Sequence, residues 1–233
     1  MKVQIRVCFF ILVMAATDFS RGWPNPTSPV RMVPVPRAKL CVTEGALEEL
    51  KGSRLSVSVP KMRAFVAAAT PQAVEARLTY LGPTSNEVGL GSGAMRRQFG
   101  LKLRAHDACN LVYAMWRIEP ESEFVVSVKR NPGMHSSSEC GNHGYRNIRP
   151  KRASAVPRLS PGGAHALFVD MAGSRMRVSV DGSEVWEGDL GPEALSFDGP
   201  VGVRTDNGRF EFQFLVREMG APLDCRADDH GDE

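Results

Sequence analysis

The densest run of reactive side chains lies between His135 and Tyr145, where His135, Glu139, Cys140, His143 and Tyr145 fall within eleven residues. Two imidazoles, a carboxylate and a thiol are the ingredients of a zinc site, yet the spacing matches none of the standard ligand arrangements. In an oxidising compartment Cys140 is better used in a disulfide, so no metal and no cofactor are predicted. Acid–base work is the other chemistry open to this loop. His143 and Tyr145 can serve as base and acid at the C5 proton of an acidic sugar, while Lys102, Arg104 and Arg117 neutralise the sugar's carboxylate. The bland reading of the same residues is a disulfide-pinned surface loop beside a solvated basic strand face. A second set, Glu119, Glu121 and Glu123, spaces its carboxylates as glycoside hydrolysis would need if they shared one strand face. Pro120 interrupts that strand, and the stretch reads as a hairpin turn. Asp181 and Asp206 likewise read first as turn residues.

Three strands must position this loop. Phe99, Leu101, Leu103 and Ala105 alternate with Gln98, Gly100, Lys102 and Arg104, the period of a half-buried strand with one apolar and one basic face. Leu111 to Ile118, with Trp116 inside it, is apolar on both faces, as a central strand covered on both sides should be. Phe124 to Arg130 is β-branched and partly alternating, and it ends at the turn signal Asn131-Pro132-Gly133. In an antiparallel meander the first and third of these strands flank the second. The loop after the third then folds over the basic face if a Cys109–Cys140 bridge draws it back. The predicted ligand-binding residues are therefore Gln98, Lys102, Arg104, Arg117 and Tyr145.

Elsewhere Leu55, Val57 and Val59 mark a strand that stops at Pro60, and Ala76 to Leu81 another that closes at Gly82-Pro83. Thr43 to Leu50 predicts a turn of helix capped by Thr43, although Gly45 opposes it. The glycine-rich loop Thr84 to Gly93 lacks the lysine-serine or lysine-threonine pair and the following helix of a phosphate cradle. Ile148 to Gly163 is a proline-rich basic loop. His165 to Met171 and Arg175 to Val180 form paired strands, and Asp181-Gly182 turns the chain into a return strand at Val185 and Trp186. Val201 to Thr205 and Arg209 to Arg217 predict a second hairpin about Asn207-Gly208, with Phe210, Phe212, Phe214 and Val216 on one face. Many short strands, regular turn signals and no long helical period predict an all-β fold of two packed antiparallel sheets.

With 42% hydrophobic and 24% charged side chains, the 233 residues can bury a core of their own. Residues 1–16 read as a secretory signal peptide, with Lys2 and Arg6 ahead of an apolar run from Val7 to Met14 and then small residues. That run is too short to span a bilayer, which takes about 20 apolar residues, and no comparable stretch occurs later. Loss of Lys2 and Arg6 takes the formal charge from +3 to +1, which gives little support to a nucleic-acid partner. Residues 17–39 are proline-rich and read as an extended linker or a strand-edge lead-in, 40–225 as the sandwich, and 226–233 as an acidic tail. Cys41, Cys109, Cys140 and Cys225 remain after processing, an even set that favours disulfides in an exported chain. Cys41–Cys225, joining the ends of the domain, and Cys109–Cys140, tying the loop to the central strand, are the favoured pairs; the alternative leaves one pair as buried thiols.

The run from His165 to Val216, with SRMRVSVDGSEVW followed by DGPVGVRTDNGRFEFQFLV, resembles the C-terminal strands of concanavalin A-like lectin/glucanase and laminin G-like sandwiches. Asp181, Gly182, Gly202 and Phe210 occupy the hairpin, strand and aromatic positions of that pattern. The central block from Arg96 also resembles secreted bacterial proteins of unassigned function, which implies no activity. The superfamily includes sugar-binding modules, glycoside hydrolases, polysaccharide lyases and adhesion domains, so the resemblance implies a concanavalin A-like jelly roll without choosing among them. The function predicted is a secreted module, periplasmic or extracellular, that binds carbohydrate or a cell-envelope surface without catalysis, with an acidic polysaccharide or a cell-surface glycan as its partner. The competing readings are a polysaccharide lyase or glycoside hydrolase acting on an acidic glycan, and a purely structural or adhesive domain.

Overall fold

Side chains that alternate apolar and polar build strands with one face to bury, and two such sheets can bury those faces against each other. The computed structural model describes residues 31–225, and it shows this arrangement. The signal-peptide reading, residues 17–30 and the acidic tail lie outside the described residues. The strands in chain order are β1 (Val33–Pro34), β2 (Leu40–Glu44), β3 (Glu48–Leu50), β4 (Arg54–Val57), β5 (Lys61–Val66), β6 (Ala73–Pro83), β7 (Arg97–Leu103) and β8 (Leu111–Glu119). They continue with β9 (Glu123–Lys129), β10 (Tyr145–Asn147), β11 (Arg152–Ala153), β12 (Ala164–Ala172), β13 (Arg175–Val180), β14 (Ser183–Asp189), β15 (Gly202–Asp206) and β16 (Gly208–Val216). One sheet has nine strands, ordered β11-β14-β13-β12-β6-β16-β4-β3 with β1 also paired to β16; the other has seven, ordered β10-β9-β8-β7-β15-β5-β2.

The core lies between the sheets. Phe99, Leu101, Leu103, Trp116, Val126 and Val203 from the seven-stranded sheet meet Leu55, Val74, Leu78, Val169, Phe210 and Phe212 from the other. Phe99 sits edge-on to Phe210 and Phe212, with ring centroids 5.2 and 5.4 Å away, an arrangement aromatic rings prefer over face-to-face contact. β7, β8 and β9 form the expected meander, and the Glu119–Glu123 stretch is the connection between β8 and β9.

Three local expectations change. Thr43 to Leu50 holds the end of β2 and all of β3 rather than a helical turn. Gly45 between them has φ 72°, and a Cβ there would lie 2.0 Å from the carbonyl oxygen of Lys61, so the chain turns tightly against β5 where no helix fits. Second, β15 and β16 are not a hairpin. β15 pairs with β5 and β7 in one sheet, whereas β16 pairs with β4 and β6 in the other. Asn207, at φ 54°, redirects the chain between the sheets, a backbone region that asparagine tolerates. Third, the lead-in from Val33 belongs to the sandwich, because β1 pairs with β16 and Val35 is fully buried.

Candidate functional site

Residues opposite one another in neighbouring strands project from the same face of a sheet, so the register of the seven-stranded sheet decides which polar groups meet on its outer side. Gln98 lies opposite Arg117 and Asp206; Gly100 opposite Met115 and Arg204; Lys102 opposite Tyr113 and Gly202. β9 extends these rows with Val125 and Ser127, and β10 places Asn147 beside Ser127 and Tyr145 beside Lys129. A depression of about 280 Å³ opens on this face, with Arg96, Gln98, Tyr113, Arg117, Asn142, Tyr145, Asn147 and Arg204 in its lining. Met115 lines it and packs over Gly100, where a Cβ would come within 2.3 Å of the Met115 sulfur. Tyr113 and Met115 belong to a small apolar cluster apart from the main core, which explains why β8 reads as apolar on both faces.

Buried charge underlies the depression. Asp206 accepts from Arg63 Nη2 at 2.6 Å, Gln98 Nε2 at 2.6 Å and Arg204 Nε at 2.9 Å, and all four residues are buried. Burial pushes the Asp206 carboxyl up, but Arg204 and Arg63 beside it outweigh burial and hold it well below the usual carboxylate range. Gln98 aids them by donating a hydrogen bond to the charged form. The Arg204 guanidinium lies 5.0 Å from the Tyr113 ring centroid, Tyr113 stacks on Tyr145 at 6.0 Å, and Lys129 Nζ stands 5.1 Å from the Tyr145 ring. Arg96 adds another cation at the edge. Burial lowers its guanidinium from the ordinary value, and the nearby Arg117 and Arg204 push the same way.

The rim comes from two loops. Asn207, itself buried, holds the first by accepting from the Val88 amide at 2.8 Å and donating to the carbonyls of Val88 and Arg96 at 2.9 Å each. Leu90, Gly91 and Ser92 of that loop line the depression, and a Cβ on Gly91 would lie 2.8 Å from Asn142 Nδ2, so the loops touch. The second loop is anchored by the Cys109–Cys140 disulfide, Cα–Cα 5.9 Å, while Cys41 is bonded to Cys225.

Of the residues singled out in the sequence, Gln98, Arg117 and Tyr145 come together around this depression. Lys102, expected on the open face, is fully buried opposite Tyr113, which Tyr145 caps. Arg104 lies beyond the end of β7 at φ 48° and donates to the carbonyl of Phe197 at 3.2 Å, outside the lining. His143 is exposed and also outside it, so the predicted acid–base pair of His143 and Tyr145 is not assembled there. Glu139 is engaged by the main-chain amides of His135 and Ser136 at 2.8 Å each, capping the single helical turn Ser137–Cys140. Glu123 is ion-paired with Arg117. Sequence reasoning missed Arg96, Tyr113, Asn142, Asn147 and Arg204. Only the pairing of distant strands places Arg204 beside Gln98.

No family model matches the chain, and no curated protein matches it. Solved structures do. The carbohydrate-binding module CBM66 from Bacillus subtilis aligns with a TM-score of 0.50 at 16% identity, over 75% of this chain and 92% of that one. The alginate lyase AlyC3 aligns at 0.45 and 12% identity, over 71% and 74% of the two chains. A galectin from Caenorhabditis elegans aligns at 0.41 and 12%, over 70% and 94%. The sandwich is a concanavalin A-like jelly roll.

Proposed function

We propose that this chain binds carbohydrate in the depression on the outer face of the seven-stranded sheet, and that its ligand is an acidic glycan. The observation that carries the reading is the lining itself: Arg96, Arg117 and Arg204 gather around Tyr113 and Tyr145, with Gln98, Asn142 and Asn147 between them and no carboxylate among the lining residues. A sugar ring stacks on Tyr145, a residue 40% exposed, while the amides meet its hydroxyls. The Arg96 guanidinium meets a carboxylate or sulfate, because its planar fork matches such groups, while Arg117 and Arg204 are held by Glu123 and Asp206. The size of the depression is near the lower end of small-molecule sites, about 300 Å³, which suits one ring of a longer chain lying across the face. Binding is favoured over turnover because the paired carboxylates of glycoside hydrolysis have no counterpart in the lining and His143 stands apart. Two disulfides support export to an oxidising compartment, and among the described residues no helix is long and apolar enough to cross a membrane.

A glycan array followed by calorimetry at several salt concentrations tests this reading. The full chain should retain acidic glycans, with affinity falling as salt rises, since exposed charge contacts are screened. Tyr145→Ala and Arg96→Ala should each weaken binding by roughly tenfold or more, worth about 1.4 kcal/mol, while leaving the melting temperature within about a degree or two. Retention of neutral glycans alone, or unchanged binding by both variants, would reduce this face to ordinary surface. Watching for absorbance from unsaturated ends during incubation tells a binder from a lyase.

A further inference from the structure

Asp107 is buried in the turn between β7 and β8, and its two oxygens do different things. Oδ1 accepts from the main-chain amides of Cys109 at 2.8 Å and Asn110 at 2.7 Å, which fixes the turn. Oδ2 accepts from Nδ1 of His135 at 2.8 Å and from Asn110 Nδ2 at 3.1 Å. His106 approaches the same oxygen, its Nε2 4.0 Å away. The other ring nitrogen of His106 lies 3.1 Å from the carbonyl oxygen of Asp198, which can only accept. In the neutral ring the proton then sits on Nδ1, which leaves the lone pair on Nε2. One ligand atom from each of His106, Asp107 and His135 lies within 4.8 Å of the other two.

We propose that His106 Nε2, Asp107 Oδ2 and His135 Nδ1 form a zinc site, separate from the glycan depression. Two imidazoles and one carboxylate suit zinc, whereas calcium and magnesium call for oxygen ligands throughout. Ligand atoms around a tetrahedral zinc are roughly 3.4 Å apart, given bonds of about 2.0–2.1 Å. The two imidazole side chains are 52% and 60% exposed and can turn through the small remaining distance, and that exposure leaves the fourth position to water. As the ion binds, the Nδ1 proton that His135 shares with Asp107 leaves to solvent and Nε2 takes one proton from solvent, so the neutral ring changes tautomer with no net proton release. The segments that would carry the ligands are already fastened together. The Cys109–Cys140 bridge joins them, Ala108 donates to the His135 carbonyl at 3.2 Å, and Asn110 donates to the Met134 carbonyl at 2.9 Å. The carbonyl oxygen of Asp198 and the amides on Asp107 supply the outer contacts that orient ligands in metal sites.

The test is calorimetric titration of the untagged full chain, first stripped with chelator, against zinc chloride and then calcium chloride. One zinc per chain is expected, with His106→Ala and His135→Ala each weakening it at least about tenfold and calcium not binding. Zinc should raise the melting temperature of the parent more than that of either variant. Should His135→Ala lower the melting point in chelator by breaking its bond to Asp107, His106→Ala carries the test, since that ring is exposed and makes no hydrogen bond to Asp107. No zinc uptake, unchanged uptake by the His106 variant, or calcium bound as tightly as zinc would each overturn the site and leave Asp107 and His135 as a turn-fastening pair.

Discussion

Replacing Cys41 and Cys225 together by serine is expected to lower the unfolding free energy by up to about 5 kcal/mol. The bridge joins β2, on the edge of the seven-stranded sheet, to the segment after β16, across a sequence separation of 184. In the chain-entropy account, closing a loop of that length removes much of the freedom of the unfolded chain, and the folded state need gain nothing. Cys109–Cys140 spans only 31 residues and should contribute less, about 4 kcal/mol on the same account. Since single domains are stable by about 5–15 kcal/mol, loss of the longer bridge removes a large share of the total. Urea melts of the two double-serine variants measure both values. A cost below about 1 kcal/mol for the longer bridge would show that the unfolded chain is not held by it. Thiol titration of the purified chain under denaturing conditions should find no free thiol from these four cysteines.

Asp206→Ala is expected to cost roughly 3–5 kcal/mol, because it removes the carboxylate from a cluster in which Arg63 and Arg204 are themselves buried. What remains is buried positive charge that Glu44, 3.6 Å from Arg63 Nε, offsets only in part, together with the orphaned amide of Gln98. Adding Arg63→Met to the variant should recover part of the loss, as groups in one network do not act independently. The pH dependence has a definite sign. A carboxyl held low in the folded state stabilises the protein above its unfolded pKa of about 3.9, and that stability is lost as pH falls toward the folded value. The parent should therefore lose this contribution only in strong acid, and the melting temperature of Asp206→Ala should fall less than that of the parent below about pH 4. Near-wild-type stability of the variant at neutral pH would mean that water, rather than Asp206, compensates the two arginines.

Much of the fold is legible in the sequence because alternation is a local property. Phe99, Leu101 and Leu103 announce a buried face wherever their strand finds its partners, and the doubly apolar Leu111–Ile118 run announces a strand covered on both sides. The cysteine count pointed to an oxidised domain for an equally local reason: what matters is composition and compartment. The turn signal at Asn207-Gly208 was also local, but a kink alone does not say whether the chain returns to the same sheet or crosses to the other. That depends on where β5, β6 and β7 offer free edges, which β15 and β16 fill separately.

The candidate site divides along the same line. Alternation puts Gln98 and Lys102 on one strand face, and both do project there, yet only Gln98 reaches the depression while Lys102 is covered. Exposure is decided by what neighbouring strands and loops place above a residue, and here those neighbours are Tyr113 and Tyr145. Arg204 and Arg96 enter the site because β15 pairs with β7 and because Asn207 ties down the loop before β7. His106 and His135 meet across Asp107 only when the disulfide and the meander bring their loops together. The sequence by itself therefore determined most of the strands and their buried faces and favoured oxidised cysteines, each set by neighbours along the chain. Only the tertiary structure decided which cations share a surface and which are buried, because strand register and loop cover join residues that the sequence holds far apart.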